Sequence, residues 1–289
     1  MKIGVVGLGR MGSALASALL DKGYGIAVWN RTAWRAQPLV ERGAVAAQDL
    51  SDLLSRSDVV VVNVLDYAAS DALLRTPDAE ALLAGKILVQ LTSGSPAQAR
   101  DAQTWADRHG VAYLDGAIMA TPNYIGAEAA SLLYAGDKAS FMTVAPVLQA
   151  FGRVAHVGDD AGVASALDVA LLTQMWGRLF GTLQAIAVCK AEAISLDVFA
   201  DHVTQFAPTV EGAVEDLVAR ARDGRLRGDD QTLASIAAHY AAYQHLLEIV
   251  REGGLDRALP EAMDGLFRRA IDRGHSSDDF AALVPLVAA

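Results

Sequence analysis

Three glycines within the first twelve residues constrain this chain more than any other feature. Residues 2–7 (KIGVVG) are a short β-branched run, residues 9–22 (GRMGSALASALLDK) carry apolar positions at helical spacing, and residues 26–30 (IAVWN) read as a second strand. Gly7-x-Gly9-x-x-Gly12 therefore sits at the turn of a strand–turn–helix–strand unit, the context a dinucleotide-binding fingerprint requires. Gly7 permits the tight turn, Gly9 lets the backbone approach a pyrophosphate, and Gly12 lets the helix pack closely on the strand. Free N–H groups at the helix start, around Leu8, Arg10 and Met11, then face the phosphates. The alternative is a glycine-rich turn with no ligand.

The end of the second strand speaks to which dinucleotide. An NAD site places Asp or Glu there. This chain has Asn30-Arg31-Thr32, with Arg35 one turn on, and no carboxylate between Asp21 and Glu41. Two guanidiniums, an amide and a hydroxyl suit a 2′-phosphate, so NADPH is expected. The alternative is that Arg31 and Arg35 are solvated charges at a helix start.

Further strands are expected at 58–65, 86–91, 111–115, 130–135 and 153–157. Loops after parallel strands lie at the carboxyl edge, where ligands bind. Val64, Leu65, Thr92 and Ser93 are accordingly placed along the cofactor, near its nicotinamide half. Segment 116–122 (GAIMATP) is expected to line the cleft. From residue 161 strand signals stop. A long helix is expected over 162–190, mostly buried because its charges are sparse, followed by helices near 195–224, 229–252, 258–273 and 277–287. The fold class is α/β: an N-terminal Rossmann domain over 1–160, then an interdomain helix and an all-helical dimerisation domain over 161–289.

Bulk properties narrow the function. The 289 residues are 53% hydrophobic with net charge −10, which disfavours nucleic acid and anionic membranes as partners. No uncharged apolar run approaches the roughly 18 residues of a membrane helix, and no leader pattern precedes the first strand. The single cysteine, Cys189, allows no internal disulfide and fits a reducing compartment. A cytoplasmic protein is expected. The histidines lack metal-ligand spacing, so no metal is expected. The large apolar helical surface is most simply covered in a homodimer with interleaved helices.

The motifs GLGRMGSALA (7–16), VWNRT (28–32), QLTSGSP (90–96), GAIMATP (116–122), LDVALLTQMWG (167–177) and GHSSDDFAAL (274–283) resemble the imine reductases and reductive aminases, within the β-hydroxyacid dehydrogenase superfamily. The resemblance implies NADPH and a domain-swapped homodimer. The active site is then shared between one subunit's Rossmann domain and the other's helices. Dehydrogenases of that superfamily carry Gly-x-x-x-Lys-x-x-x-Asn at the start of the interdomain helix. Counted from Gly162, those positions are Ala166 and Ala170, and none of Lys2, Lys22, Lys86, Lys138 and Lys190 can serve. A ketone or alcohol needs a proton donor or acceptor at oxygen. An iminium arrives charged, so the missing lysine favours C=N over C=O.

Asp168 matches a family Asp or Asn that contacts the substrate nitrogen, and a carboxylate there can steady a cation. It is equally a favourable carboxylate near a helix N-terminus. Trp176 stands where the family carries Asp or Tyr as a proposed proton donor. Its indole cannot deliver a proton, but its ring face can stabilise a cation, and plain packing is the alternative. Ser93 stands where reductive aminases carry Asn. Met119, Ala120, Thr121 and Phe180 are expected to shape the pocket. His239, Tyr240 and Tyr243 fall near positions that close the site from the second subunit, and each could equally be a dimer-core residue. The activity implied is hydride transfer to cyclic or preformed imines, with reductive amination as an extension. The rivals are a hydroxyacid-dehydrogenase-like carbonyl oxidoreductase and a non-catalytic NADPH-binding sensor.

Overall fold

A computed structural model describes residues 1–287; the last two residues of the expected helical domain lie outside the described residues. The strands are β1 (Ile3–Val6), β2 (Ile26–Trp29), β3 (Val45–Ala46), β4 (Val59–Val62), β5 (Ile87–Gln90), β6 (Ala112–Met119), β7 (Ser131–Gly136) and β8 (Arg153–Gly158). The helices are α1 (Arg10–Asp21), α2 (Gln37–Val40), α3 (Leu50–Arg56), α4 (Tyr67–Leu74), α5 (Pro77–Leu83), α6 (Pro96–Arg108), α7 (Lys138–Leu148), α8 (Gly162–Ala191), α9 (Leu196–Asp223), α10 (Ile236–Glu252), α11 (Ala258–Asp272) and α12 (Val284–Val287). The chain divides into two compact units, Met1–Met175 and Trp176–Ala289, the division falling inside α8.

The first unit is an eight-stranded sheet of order β3-β2-β1-β4-β5-β6-β7-β8. Its pairings are parallel except β6 with β7. Order reverses between β1 and β4, so the loops after these strands open a crevice at the carboxyl edge. The β4 valines show how the sheet is sandwiched. Val59 and Val61 join a core that includes Leu15 and Leu19 of α1 and Phe141 of α7. Val60 and Val62 join one that includes Leu53 of α3, Tyr67 of α4 and Ala102 of α6. Each buried valine contributes about 1.5–3 kcal/mol, and stiff β-branched side chains suit a strand covered on both faces.

Several expected boundaries shift. The strand expected over 58–65 ends at Val62. Beyond it Asn63 donates its side-chain amide to Leu91 O at 2.6 Å, and Val64 N–H donates to Thr92 Oγ1 at 3.0 Å, so the chain turns toward the β5 loop. The strand expected over 111–115 runs on to Met119 because β7 pairs with it through Met119↔Ser131. Residues 116–119 are therefore strand. Strand β3 is two residues long, too short to carry a readable period.

In the second unit Ile236, Phe267, Ala270, Ala282 and Leu283 form a core on which Tyr240 and Tyr243 pack. Arg220 of α9 is fully buried. Its Nε meets Asp216 at 2.9 Å and Asp279 at 3.3 Å, and its Nη2 meets Asp229 at 3.0 Å. A buried guanidinium is tolerable only with such partners, and losing one costs about 3–5 kcal/mol. This cluster corrects the helix expected from residue 229. Asp229 is committed to Arg220 and accepts Gln231 N–H, so the helix starts only after Ser235, whose hydroxyl accepts from Ala238 N–H. The helix expected over 277–287 is a 3-10 turn, Phe280–Leu283, capped by Asp279 and leading into the single turn of α12.

Helix α8 departs from the expectation of burial. Leu171, Trp176, Leu179, Phe180 and Leu183 remain 44–61% exposed on the single chain. Its apolar residues spread around more of the helix than the rest of this chain covers. Among the described residues no helix is long and apolar enough to cross a membrane.

Candidate functional site

The site begins with a turn that only glycine can make. Gly7 has φ +92°, and a Cβ on it would come within 2.2 Å of Asn63 O. A Cβ on Gly12 would reach 2.0 Å from Gly7 O, so these two glycines serve the close packing of α1 on β1 and β4. Gly9 differs. A Cβ there would meet nothing within 4 Å, yet Gly9 lines an open cavity of ≈ 620 Å³. Packing does not require this glycine, and the space it keeps is available to a ligand. Gly9 also caps α1, with no side-chain cap and no acidic residue in the first turn. The helix start therefore offers unneutralised N–H groups and the positive end of its dipole.

The same cavity is lined by Arg10, Arg31 and Arg35, with Asn30 and Thr32 beside them and no carboxylate in its wall. Such a wall attracts phosphate. Arg35 lies 5.8 Å from the Trp34 ring centroid and reaches Leu8 O at 3.4 Å. Asn30 is differently employed: its Oδ1 accepts Leu8 N–H at 2.9 Å and its Nδ2 donates to Thr32 O at 3.1 Å. The amide thus links Leu8 of the glycine loop to the segment after β2, and Asn30, Thr32 and the arginines all line the cavity. Leu8 lies between two cavity-lining glycines without lining the cavity itself. Its side chain is core and its N–H is engaged. Ala69, Ala72 and Leu73 of α4 supply an apolar wall that the sequence reading missed. These residues fit a phosphorylated dinucleotide on the space at Gly9 and on the three arginines whose charge no carboxylate of the wall offsets.

A second cavity of ≈ 350 Å³ shares Met11, Asn63, Val64 and Leu65 with the first. Its other walls are the β5 loop (Thr92, Ser93, Gly94), the β6 stretch 116–119, and one face of α8 bearing Ser165, Asp168 and Leu172. Ser93, Met119 and Asp168 thus come together as expected, while Ala120 and Thr121 do not line it. Ala120 packs on the core, and Thr121 turns its hydroxyl to Asn123 at 2.6 Å. Asn63 went unnoticed in the sequence, although a polar residue ending an all-valine strand was a signal.

Asp168 is the only ionisable side chain in this wall among the described residues. It has no hydrogen-bond or ion-pair partner among them, and partial burial holds its carboxyl above the ordinary range. Behind the wall lies a second carboxylate. Asp115 is 1% exposed, accepting from Tyr67 Oη at 2.6 Å and from Ser165 Oγ at 2.7 Å. Burial pushes its pKa up to about 6, partly offset by these two bonds, and the charge of Asp168 adds to the rise. The Tyr67 proton is committed to Asp115, so Tyr113 is the donor in the 3.0 Å Tyr113–Tyr67 contact. Asp115, Tyr67 and Ser165 were all missed in the sequence.

The remaining expected residues belong to the second unit. Trp176 and Phe180 are 48% and 58% exposed. Tyr240 donates to Asp264 Oδ1 and Tyr243 to Pro260 O, each at 3.0 Å, and His239 sits edge-on to Phe280. Tyr243 and Cys189 line an apolar cavity of ≈ 440 Å³ whose wall holds no charged side chain.

Residues 2–158 match the family model of the NAD binding domain of 6-phosphogluconate dehydrogenase. Residues 160–289 match that of the NADPH-dependent reductive aminase-like C-terminal domain. An NADPH-dependent reductive aminase of Aspergillus oryzae is 33% identical, over 98% of this chain and 95% of its own length. The structure of an imine reductase from Myxococcus stipitatus in complex with NADP+ is 50% identical, with TM-score 0.93 over 99% of this chain and 100% of that one. A reductive aminase from Aspergillus terreus, solved with NADPH4, cyclohexanone and allyl amine, is 34% identical, with TM-score 0.87 over 99% of each chain.

Proposed function

Because the chain belongs to the imine reductase and reductive aminase family, we propose that the cavity under Asp168 receives an imine or iminium carbon for reduction by NADPH. The protein is an NADPH-dependent oxidoreductase acting on C=N bonds. One observation carries the site assignment: an unpaired carboxylate is the only ionisable group in an otherwise neutral cavity that adjoins the phosphate-attracting one. A cationic nitrogen satisfies such a group directly, and the wall holds no lysine to serve a carbonyl oxygen.

When bound, NADPH supplies a hydride. The chain's residues bind and orient. Gly9 and the start of α1 hold the pyrophosphate, Arg31, Arg35 and Thr32 the 2′-phosphate, and Arg10, Met11, Val64, Leu65 and Thr92 flank the rest. Asp168 steadies the positive nitrogen against Met119 and Leu172. The uncommitted Ser93 hydroxyl is available to an amine or carbonyl partner, which would extend the reaction to reductive amination. Trp176 and Phe180 are assigned to the apolar substrate wall. His239, Tyr240 and Tyr243 are assigned to closing it from a second subunit.

The domain division is drawn at 1–160 and 161–289, supported by the spans of the two family matches. A homodimer with shared sites is supported by the uncovered apolar residues of α8. The single cysteine supports a reducing, cytoplasmic setting. The test is anaerobic NADPH oxidation with 1-pyrroline or 3,4-dihydroisoquinoline. Turnover of these imines is expected. Their inertness alongside NADP+ reduction by a 3-hydroxy acid overturns the assignment.

A further inference from the structure

Asp168 has a neighbour one helical turn away that sequence motifs do not mark. Ser165 and Asp168 are three residues apart on α8, so they share a face, and both line the same cavity. Ser165 is 7% exposed, and its Oγ donates to Asp115 Oδ2 at 2.7 Å. A serine hydroxyl carries one proton and two lone pairs. With the proton spent on Asp115, the hydroxyl can only accept from a ligand in the cavity.

We propose that Ser165 is a second contact for the substrate nitrogen, accepting an N–H from an iminium or ammonium held by Asp168, and that Asp115 is the positioning residue that keeps the serine an acceptor. This rests on the imine-reducing assignment for the cavity. It goes further by naming a preferred ligand class: cations bearing at least one N–H, over fully alkylated ones.

The surroundings of Asp115 make the device responsive to pH. Tyr67 of α4 and Tyr113 of β6 stand on one side, both neutral because burial raises them far above the ordinary phenol range. Ser165 and Asp168 of α8 stand on the other. Asp71 acts on Tyr67 and Tyr113 and is itself paired with Arg75. Once Asp115 is protonated, its carboxyl can donate to Ser165 Oγ. The serine proton is then released toward the cavity, where it opposes an N–H cation. The pKa of about 6 places this change at mildly acidic pH.

The test measures binding of two amine ligands by calorimetry with NADP+ present. One is 1,2,3,4-tetrahydroisoquinoline, charged and bearing N–H at pH 5–8. The other is its N,N-dimethyl quaternary analogue, charged without N–H. The quantity read is the ratio of the two Kd values, which cancels effects on cavity shape. Ser165→Ala is expected to shift the ratio about tenfold against the N–H ligand, the loss of one charge-assisted hydrogen bond. Ser165→Thr retains the ratio. In the unaltered protein the preference for the N–H ligand weakens as pH falls through about 6, and Asp115→Asn abolishes that step. The proposal is overturned if Ser165→Ala leaves the ratio unchanged, if the unaltered and Asp115→Asn profiles superimpose, or if neither ligand binds. Because no turnover is required, failure here is separable from failure of the imine assay.

Discussion

Replacing Asp115 with Asn converts a buried titration into a stability measurement. The carboxyl sits at 1% exposure with its pKa raised from 3.8 to about 6. That rise of about two units is equivalent to about 3 kcal/mol between the protonation states. The folded chain holds this proton more tightly than the unfolded one. The associated stability is therefore fully present below pH 3.8 and is lost as pH rises to about 6. Asparagine does not titrate, so the difference between parent and variant isolates Asp115 from every other carboxylate. The amide still accepts from one of Tyr67 and Ser165 but no longer from both, which offsets the variant by about 1 kcal/mol at all pH values. Urea unfolding of both proteins, at one protein concentration and from pH 4 to 7.5, reads the difference. The parent should lose about 2.5 kcal/mol relative to the variant across that interval, because at pH 4 the unfolded carboxyl is already half ionised. A difference flat to within about 0.5 kcal/mol would refute the buried-carboxyl argument, since that is the scale of an ordinary surface change.

Three further outcomes are expected. Gly12→Ala should unfold the protein at lower urea because its Cβ meets Gly7 O, whereas Gly9→Ala should fold normally and lose NADPH affinity in a fluorescence titration. Arg31→Ala should weaken NADPH binding about 10- to 100-fold and NADH binding by less than about threefold, compared by Kd. Asp168→Ala should lower kcat/KM for a cyclic imine about 100-fold while NADPH Kd stays within about twofold; equal losses would mark Asp168 as structural.

What was legible in the sequence was local. The glycine loop, the β-branched strands and the long proline-free helix each declare themselves within one contiguous stretch of chain. The missing lysine at Ala166 was legible by counting. What could not be read depends on distant partners. Asp115 meets Tyr67 and Ser165 across 48 and 50 residues, and no spacing rule links them. Asp229 looked like the start of a helix until Arg220 claimed it. Asn30 lines the basic cavity, which its place after β2 makes legible. The two hydrogen bonds that occupy its amide appear only once Leu8 and Thr32 are positioned around it.

That bracing amide separates two properties that adjacent residues might be expected to share. Asn30 ties the frame of the loop to the end of β2 and Arg35 adds a hydrogen bond to Leu8 O, while Arg31 lines the cavity with no hydrogen bond to the frame among the described residues. Mutational drift at Arg31 can thus retune cofactor preference without disturbing the turn that receives the pyrophosphate. Drift at Asn30 has no such freedom, because it would loosen the turn for either nicotinamide cofactor. Preference is the evolvable trait here, and dinucleotide binding itself is the inherited one.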